Sequence, residues 1–355
     1  PPAPRPDPAP SLGADPRALV FVQHASARVR TALPAARALL APGDEILVTD
    51  HEYNAAANAA AVVAAETGAR IRVARLPWPD PDADAIVAAV LGATGPRTRV
   101  ALVSHVTRAT ATVLPIGPIV AGLEARGVAT IVDSAHGPGL VPFAIDAIGA
   151  SWLTGNAHKW LCAPKGAAVL HVRADRRAFT RPLVTSPGWN APVPERARFL
   201  AEADWTGTLD PSPILAIPDA LRALGALHPD GWPGLMAANR RDALAARDRL
   251  LGLTGARPLV PDALSAAMVL VPIPDALTPE PAADDPAADA GRLRPEDPLA
   301  AALRSAGIVV PVFTFPATRA HGPARRLLRV SWQRHVRAAD IARLAEALRA
   351  RGLGA

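Results

Sequence analysis

The chain has 355 residues, 50 % of them hydrophobic, and a formal net charge of +6, enough to bury one large core and a smaller one. Its arginines are scattered among Ala, Leu and Asp rather than clustered, which argues against a nucleic-acid partner; no apolar run reaches the roughly 18 residues of a membrane span and no signal pattern opens the chain, so a soluble cytoplasmic protein with no membrane partner is expected. Cys162 is the only cysteine, which excludes an intrachain disulfide and a multi-cysteine zinc site, and no metal is expected.

Residues 1–11 are Pro-rich and read as a disordered leader. Apolar runs at 19–22, 45–49, 71–74, 100–104, 128–132 and 167–172 predict strands, and Ala/Leu-rich stretches at 29–40, 54–67, 82–92 and 116–126 predict helices between them. This alternation predicts an α/β fold, a mostly parallel sheet covered by helices, forming a large domain over 12–212. In such sheets ligands bind at the carboxyl ends of the strands. From 213 the pattern shifts to helices at 213–227 and 233–253, strands at 266–272, 308–312 and 327–331, and a closing helix at 337–351. That reads as a small C-terminal α+β domain, 213–355, with a flexible surface loop at 274–298.

The chain has 38 basic residues, of which only Lys159 and Lys165 are lysine. A guanidinium stays protonated and is a poor nucleophile, so a chain this biased toward arginine keeps a lysine where an amine is needed. Lys165 sits between Pro164 and Gly166 and reads as a turn residue. Lys159 lies in Thr154-Gly155-Asn156-Ala157-His158-Lys159-Trp160, twenty-six residues after Asp133, which ends the strand at 128–132 and is followed by Ser134-Ala135-His136-Gly137-Pro138-Gly139. A carboxylate, Asp133, and an imidazole, His136, therefore emerge where a sheet ligand would sit. Pyridoxal 5'-phosphate (PLP) chemistry needs an amine, an acid that keeps the pyridine nitrogen protonated and donors for the phosphate. Lys159 would hold the cofactor as a Schiff base and then shuttle protons, Asp133 would pair with the ring nitrogen, and Asn156 and His158 would flank the lysine with hydrogen-bonding groups.

Together with Thr49-Asp50-His51-Glu52-Tyr53-Asn54, Ser104-His105-Val106-Thr107 and Trp205-Thr206-Gly207-Thr208, these segments resemble the class V aminotransferase-like PLP enzymes, and within them the isopenicillin N epimerase-like branch. The resemblance spans about residues 12–335. It implies a fold-type-I PLP fold and a homodimer with shared active sites acting on a small amino-acid-like substrate. It also assigns roles: His51 or Tyr53 stacks on the ring, with His51 joining Lys159 as a catalytic residue, and Thr107 and His136 belong to the cofactor site. Ala25, Ser26 and Ala27 open a helix whose N-terminal amides suit the phosphate, Thr206 and Thr208 reach the neighbouring subunit's phosphate, and Arg329 takes the substrate carboxylate, a match to guanidinium geometry.

Several positions depart from that pattern. The family's N-terminal segment is replaced by the leader, which implies a truncated chain or a site completed by a partner. His24 and Arg28 flank the phosphate helix in place of Asn and Gly, Arg108 and Ala109 replace Ser and Pro, and Pro187 stands where a His is common. Cys162 follows Lys159 by three residues, a tightly held place for the mobile sulfur acceptor a cysteine desulfurase uses. The expected reaction is epimerisation or related chemistry at an amino-acid Cα. The alternatives are a C–S lyase of the hercynylcysteine sulfoxide lyase type and a PLP-fold binding protein without catalysis.

Overall fold

A computed structural model describes residues 12–22, 25–142, 144–274, 297–316 and 324–353; of residues 25–30, 195 and 196 only the backbone is described. The expected leader at 1–11 and nearly all of the expected loop at 274–298 lie outside the described residues. The chain divides into two compact units.

The first unit takes the chain up to Pro77, Asp82–Arg108 and Leu114–Met236. Its strands are β1 (Leu19–Val22), β2 (Glu45–Thr49), β3 (Arg70–Ala74), β4 (Thr98–Ser104), β5 (Ala129–Ser134), β6 (Trp152–Asn156) and β7 (Ala168–Val172). They form one sheet in the order β1-β7-β6-β5-β4-β2-β3. From β6 to β3 every pairing is parallel, whereas β7 runs antiparallel to both β6 and β1. Strands β4 and β5 are buried almost throughout, which is why they read as continuous apolar runs rather than alternating ones. The helices are α1 (Ala25–Ala36), α2 (Asn54–Thr67), α3 (Ala83–Gly92), α4 (Ile116–Glu124), α5 (Ile145–Ile148), α6 (Glu195–Asp204), α7 (Ser212–Leu215) and α8 (Ile217–Gly225). Helix α2 is more than half alanine, the best helix former, and ends at Gly68, whose φ of 71° is left-handed. One core cluster joins Leu33 of α1 and Val63 of α2 to Ile46, Leu102, Ile131, Trp152 and Leu170 of the sheet. Trp152 is fully buried and its indole N–H donates to Thr180 Oγ1 at 2.9 Å.

Strand β6 is absent from the sequence expectation, where Thr154-Gly155-Asn156 stands only within the segment that carries Lys159. It is a strand because the sheet needs a narrow residue at Gly155. A Cβ there would stand 2.7 Å from Pro138 Cγ, so glycine lets β6 pair with β5 beneath the loop that carries His136.

The second unit comprises Trp78–Pro81, Ala109–Val113 and Ala237–Ala355, a later boundary than the 212/213 expected, because α9 (Gly231–Thr254) runs across it. It holds β8 (Met268–Ile273), β9 (Val312–Phe315) and β10 (Arg325–Ser331) as an antiparallel sheet in the order β8-β10-β9, with α10 (Pro298–Ser305) and α11 (Ala338–Arg349). The strand expected at 308–312 starts only at Val312, after Pro311, and Val309 is left 84 % exposed. Among the described residues no helix is long and apolar enough to cross a membrane.

Candidate active site

Strands β2, β4, β5 and β6 are parallel, so the segments that follow them gather on one edge of the first unit's sheet. Ser104 pairs in register with Asp133, Asp133 with Thr154, and Ser134 with Gly155. Asp133, His136, Asn156, His158 and Lys159 are thereby brought together. Lys159 Nζ stands 3.2 Å from His136 Nε2. On the far side of the same ring, the Trp160 indole N–H donates to His136 Nδ1 at 3.2 Å. An accepting Nδ1 puts the proton of a neutral imidazole on Nε2, facing the lysine. An N–H aimed at Nζ suits a lysine with a free lone pair, the neutral and nucleophilic form of the amine. Gly139, with φ of 79°, lets this loop settle: a Cβ there would meet the Trp160 carbonyl carbon at 2.8 Å.

Asp133 is buried, and its Oδ1 accepts the Ala135 amide at 3.0 Å. Burial pushes its carboxyl above the usual range; the Ala135 amide opposes the rise, as does the charge of Lys159 whenever that amine is protonated. Among the described residues no other hydrogen bond reaches that carboxyl, so one oxygen is left for a cation. His158 Nδ1–H donates to the Ala167 carbonyl at 2.8 Å, which fixes its ring at the side of the site. Asn156 ends β6 and is buried, as is Thr107 just beyond β4.

The two ring-stacking candidates differ. His51 is only 3 % exposed, with Nδ1 2.8 Å from Asp50 Oδ1, whereas Tyr53 is 39 % exposed and has the Arg108 guanidinium 5.7 Å from its ring centre. Ala25, Ser26 and Ala27 form the first turn of α1, with side chains outside the described residues, as is His24 altogether. Thr206 and Thr208 flank Gly207 (φ 116°) in the loop after α6, next to an exposed Trp205. Arg329 belongs to the second unit, on β10 opposite Leu270.

Three residues without an assigned role in the sequence reading belong to this edge. The Trp160 indole is one. Glu52 lies just past β2, and its carboxylate accepts Thr49 Oγ1–H at 2.7 Å, the Ser104 amide at 3.0 Å and Ser104 Oγ–H at 2.6 Å. Burial pushes it up to about 7, the Asp133 charge adds to the rise, and the Ser104 and Thr49 donors oppose it. His105 follows β4, is 4 % exposed and has Nδ1 2.9 Å from Ser134 Oγ; burial pushes it down to about 4. Each stood inside a quoted motif, but only burial and register reveal what it touches.

The class V aminotransferase family model matches residues 6–228. The chain belongs to that family. It is 34 % identical to an isopenicillin N epimerase of Amycolatopsis lactamdurans over 95 % of this chain and 81 % of that one. A putative L-cysteine desulfhydrase of Oryza sativa subsp. japonica is 29 % identical over 73 % of this chain and 53 % of its own. Among solved structures, a cysteine desulfurase of Escherichia coli superposes with a TM-score of 0.75 at 19 % identity, covering 96 % of this chain and 81 % of that one. The fold is accordingly the fold-type-I architecture of PLP-dependent enzymes, and the chain is an enzyme of the class V family. The residues present fit the cofactor this family implies: an amine at Lys159 and a buried carboxyl at Asp133 with an oxygen to spare.

Proposed function

We propose that this class V enzyme uses PLP to act at the Cα of an amino-acid substrate, with epimerisation as its reaction and Lys159 as the catalytic amine. The observation that carries the reading is the Lys159 Nζ–His136 Nε2 contact at 3.2 Å beside the buried Asp133. PLP, when bound, draws electrons from the substrate Cα and makes its proton removable. Lys159 Nζ takes and returns that proton. Trp160, through His136 Nδ1, keeps an N–H directed at Nζ and so favours the neutral amine. Asp133 would hold the proton at the ring nitrogen, and Tyr53, which is exposed where His51 is buried, would offer the ring an aromatic face. Asn156, His158 and Thr107 complete the pocket, and the N-terminal amides of α1 at Ala25, Ser26 and Ala27 take the phosphate. Thr206 and Thr208 serve the phosphate of a second copy in a homodimer, and Arg329 takes the substrate carboxylate.

Epimerisation is favoured over elimination because the match to an isopenicillin N epimerase covers 95 % of this chain. Elimination at Cβ, as in a C–S lyase, is the second reading, supported by the likeness to the cysteine desulfhydrase. A sulfur-carrying role for Cys162 finds no support: its amide donates to the Lys159 carbonyl at 3.3 Å, inside the same turn. The test is spectroscopic first. Adding PLP to the purified protein should give a visible absorbance band that Lys159→Ala lacks; no band in the wild type, or the same band in the variant, overturns the reading. Incubating the loaded enzyme with amino acids in D2O should then give Cα exchange with inversion. Pyruvate and ammonia release in its place would assign the lyase.

A further inference from the structure

The reading above leaves one buried acid at the site without a task. Glu52 makes no contact with Lys159 or His136 among the described residues, yet its three hydrogen bonds all go to the ends of β2 and β4. Ser104, which supplies two of them, is the register partner of Asp133 on β5. We propose that Glu52 is a positioning residue of the cofactor site, clamping the ends of β2 and β4 and acting through its charge on Asp133 and, beyond it, on the proton held at Lys159 Nζ.

The geometry supports this in two steps. A parallel neighbour lies about 4.8 Å away in the sheet, so a carboxyl seated on Ser104 is one strand from Asp133. At that separation, inside a buried edge, two carboxylates repel, and one of them keeps its proton to a higher pH. Glu52 loses its proton at about 7, and Asp133 is likewise pushed up by burial. The other charged and titratable groups around it are Asp50 and His51, which pair with each other at 2.8 Å, Tyr53 on the same segment, Arg75 beyond β3, and His105 and Arg108 beyond β4. His105 stays neutral through this range. As pH rises through about 7, Glu52 thus gains a negative charge one strand from Asp133.

This inference rests on the PLP reading, and the experiment separates the two. Glu52→Gln is nearly isosteric: its carbonyl can still accept from Thr49 and the Ser104 amide, and its NH2 can donate to Ser104 Oγ. It keeps the clamp and removes the charge. In PLP-loaded protein the pH midpoint of the visible band should fall by about 0.5–1 unit in Glu52→Gln, because the proton at Lys159 Nζ loses a nearby anion. In PLP-free protein, difference infrared spectra should show a protonated carboxyl signal that disappears as pH passes about 7 and that Glu52→Gln lacks. Ser104→Ala, which keeps the acid and removes its 2.6 Å donor, should move that infrared midpoint up by about one unit. No band in the wild type would sink the cofactor reading. A wild-type band whose titration is superimposable on that of Glu52→Gln would sink this proposal, as would an infrared signal unaffected by either substitution.

Discussion

His105, just past β4, and Glu52, just past β2, are both buried and displaced in opposite directions, and replacing His105 exposes the balance between them. In the folded protein burial pushes His105 from 6.5 down to about 4. The unfolded chain therefore takes up a proton that the fold does not, and stability present above pH 6.5 is lost as pH falls toward 4. At about 1.4 kcal/mol per pH unit, that is about 3 kcal/mol. Glu52 works the other way: raised from 4.5 to about 7, it contributes stability that is full below 4.5 and is lost as pH rises through 7, again about 3 kcal/mol. Over pH 4.5–7 the two contributions nearly cancel in the wild type. His105→Gln leaves only the Glu52 limb, so the variant should become more stable relative to the wild type as the solution is acidified from pH 7.5 to 4.5. Thermal melting of the PLP-free protein reads this as a Tm difference that shifts by roughly 5–10 °C across the range for a unit of this size. A difference that stays constant with pH would refute the assignment of neutral His105 to the folded state.

Two further outcomes follow from single contacts. Trp160→Phe removes the indole N–H from His136 Nδ1, so the imidazole can turn its lone pair toward Lys159 and accept from an ammonium; the pH midpoint for PLP capture should rise by about 0.5–1 unit, measured as capture rate against pH. Asp297 caps α10 through the Leu299 amide at 2.8 Å and pairs with Arg326, which is 2 % exposed. Burial alone would raise the Asp297 carboxyl, but Arg326 and that amide hold it below the usual range. Asp297→Ala removes the carboxylate from beside a buried guanidinium and should cost the second unit about 3 kcal/mol, seen by urea unfolding followed at its own tryptophans.

The parts of this chain that were legible in sequence are those whose residues act locally. The alanine run of α2 starts and stops where composition puts it, at Asn54 and Thr67, and β2 and β4 announce themselves because both faces of a parallel strand are buried. β6 was hidden because its glycine answers to Pro138, a residue on another segment, and α6 because half of its ten residues are charged and break the apolar pattern of the sequence. The site divides in the same way. Asp133 and Lys159 stand out by type and spacing, since an amine in a chain of arginines needs a reason. Glu52, His105 and Trp160 sit in the same motifs, and what distinguishes them is the partner across a strand: Ser104, Ser134 and His136.

That division has a consequence for how the edge works. A single buried carboxylate would be enough to keep a proton on the ring nitrogen of PLP, yet this edge buries a second acid, Glu52, and two imidazoles, His51 and His105, just past the ends of β2 and β4. Each is held by a hydroxyl or carboxyl from its own or an adjoining strand: Glu52 by Thr49 and Ser104, His105 by Ser134, His51 by Asp50. Hydroxyl donors stabilise a carboxylate without adding a charge, so Thr49 and Ser104 bring Glu52 down to the neutral range instead of leaving it a permanent acid. An arginine in their place would have fixed Glu52 as an anion, and a purely apolar pocket would have fixed it as neutral. The hydroxyl pair leaves it able to change charge near neutrality, one strand from Asp133.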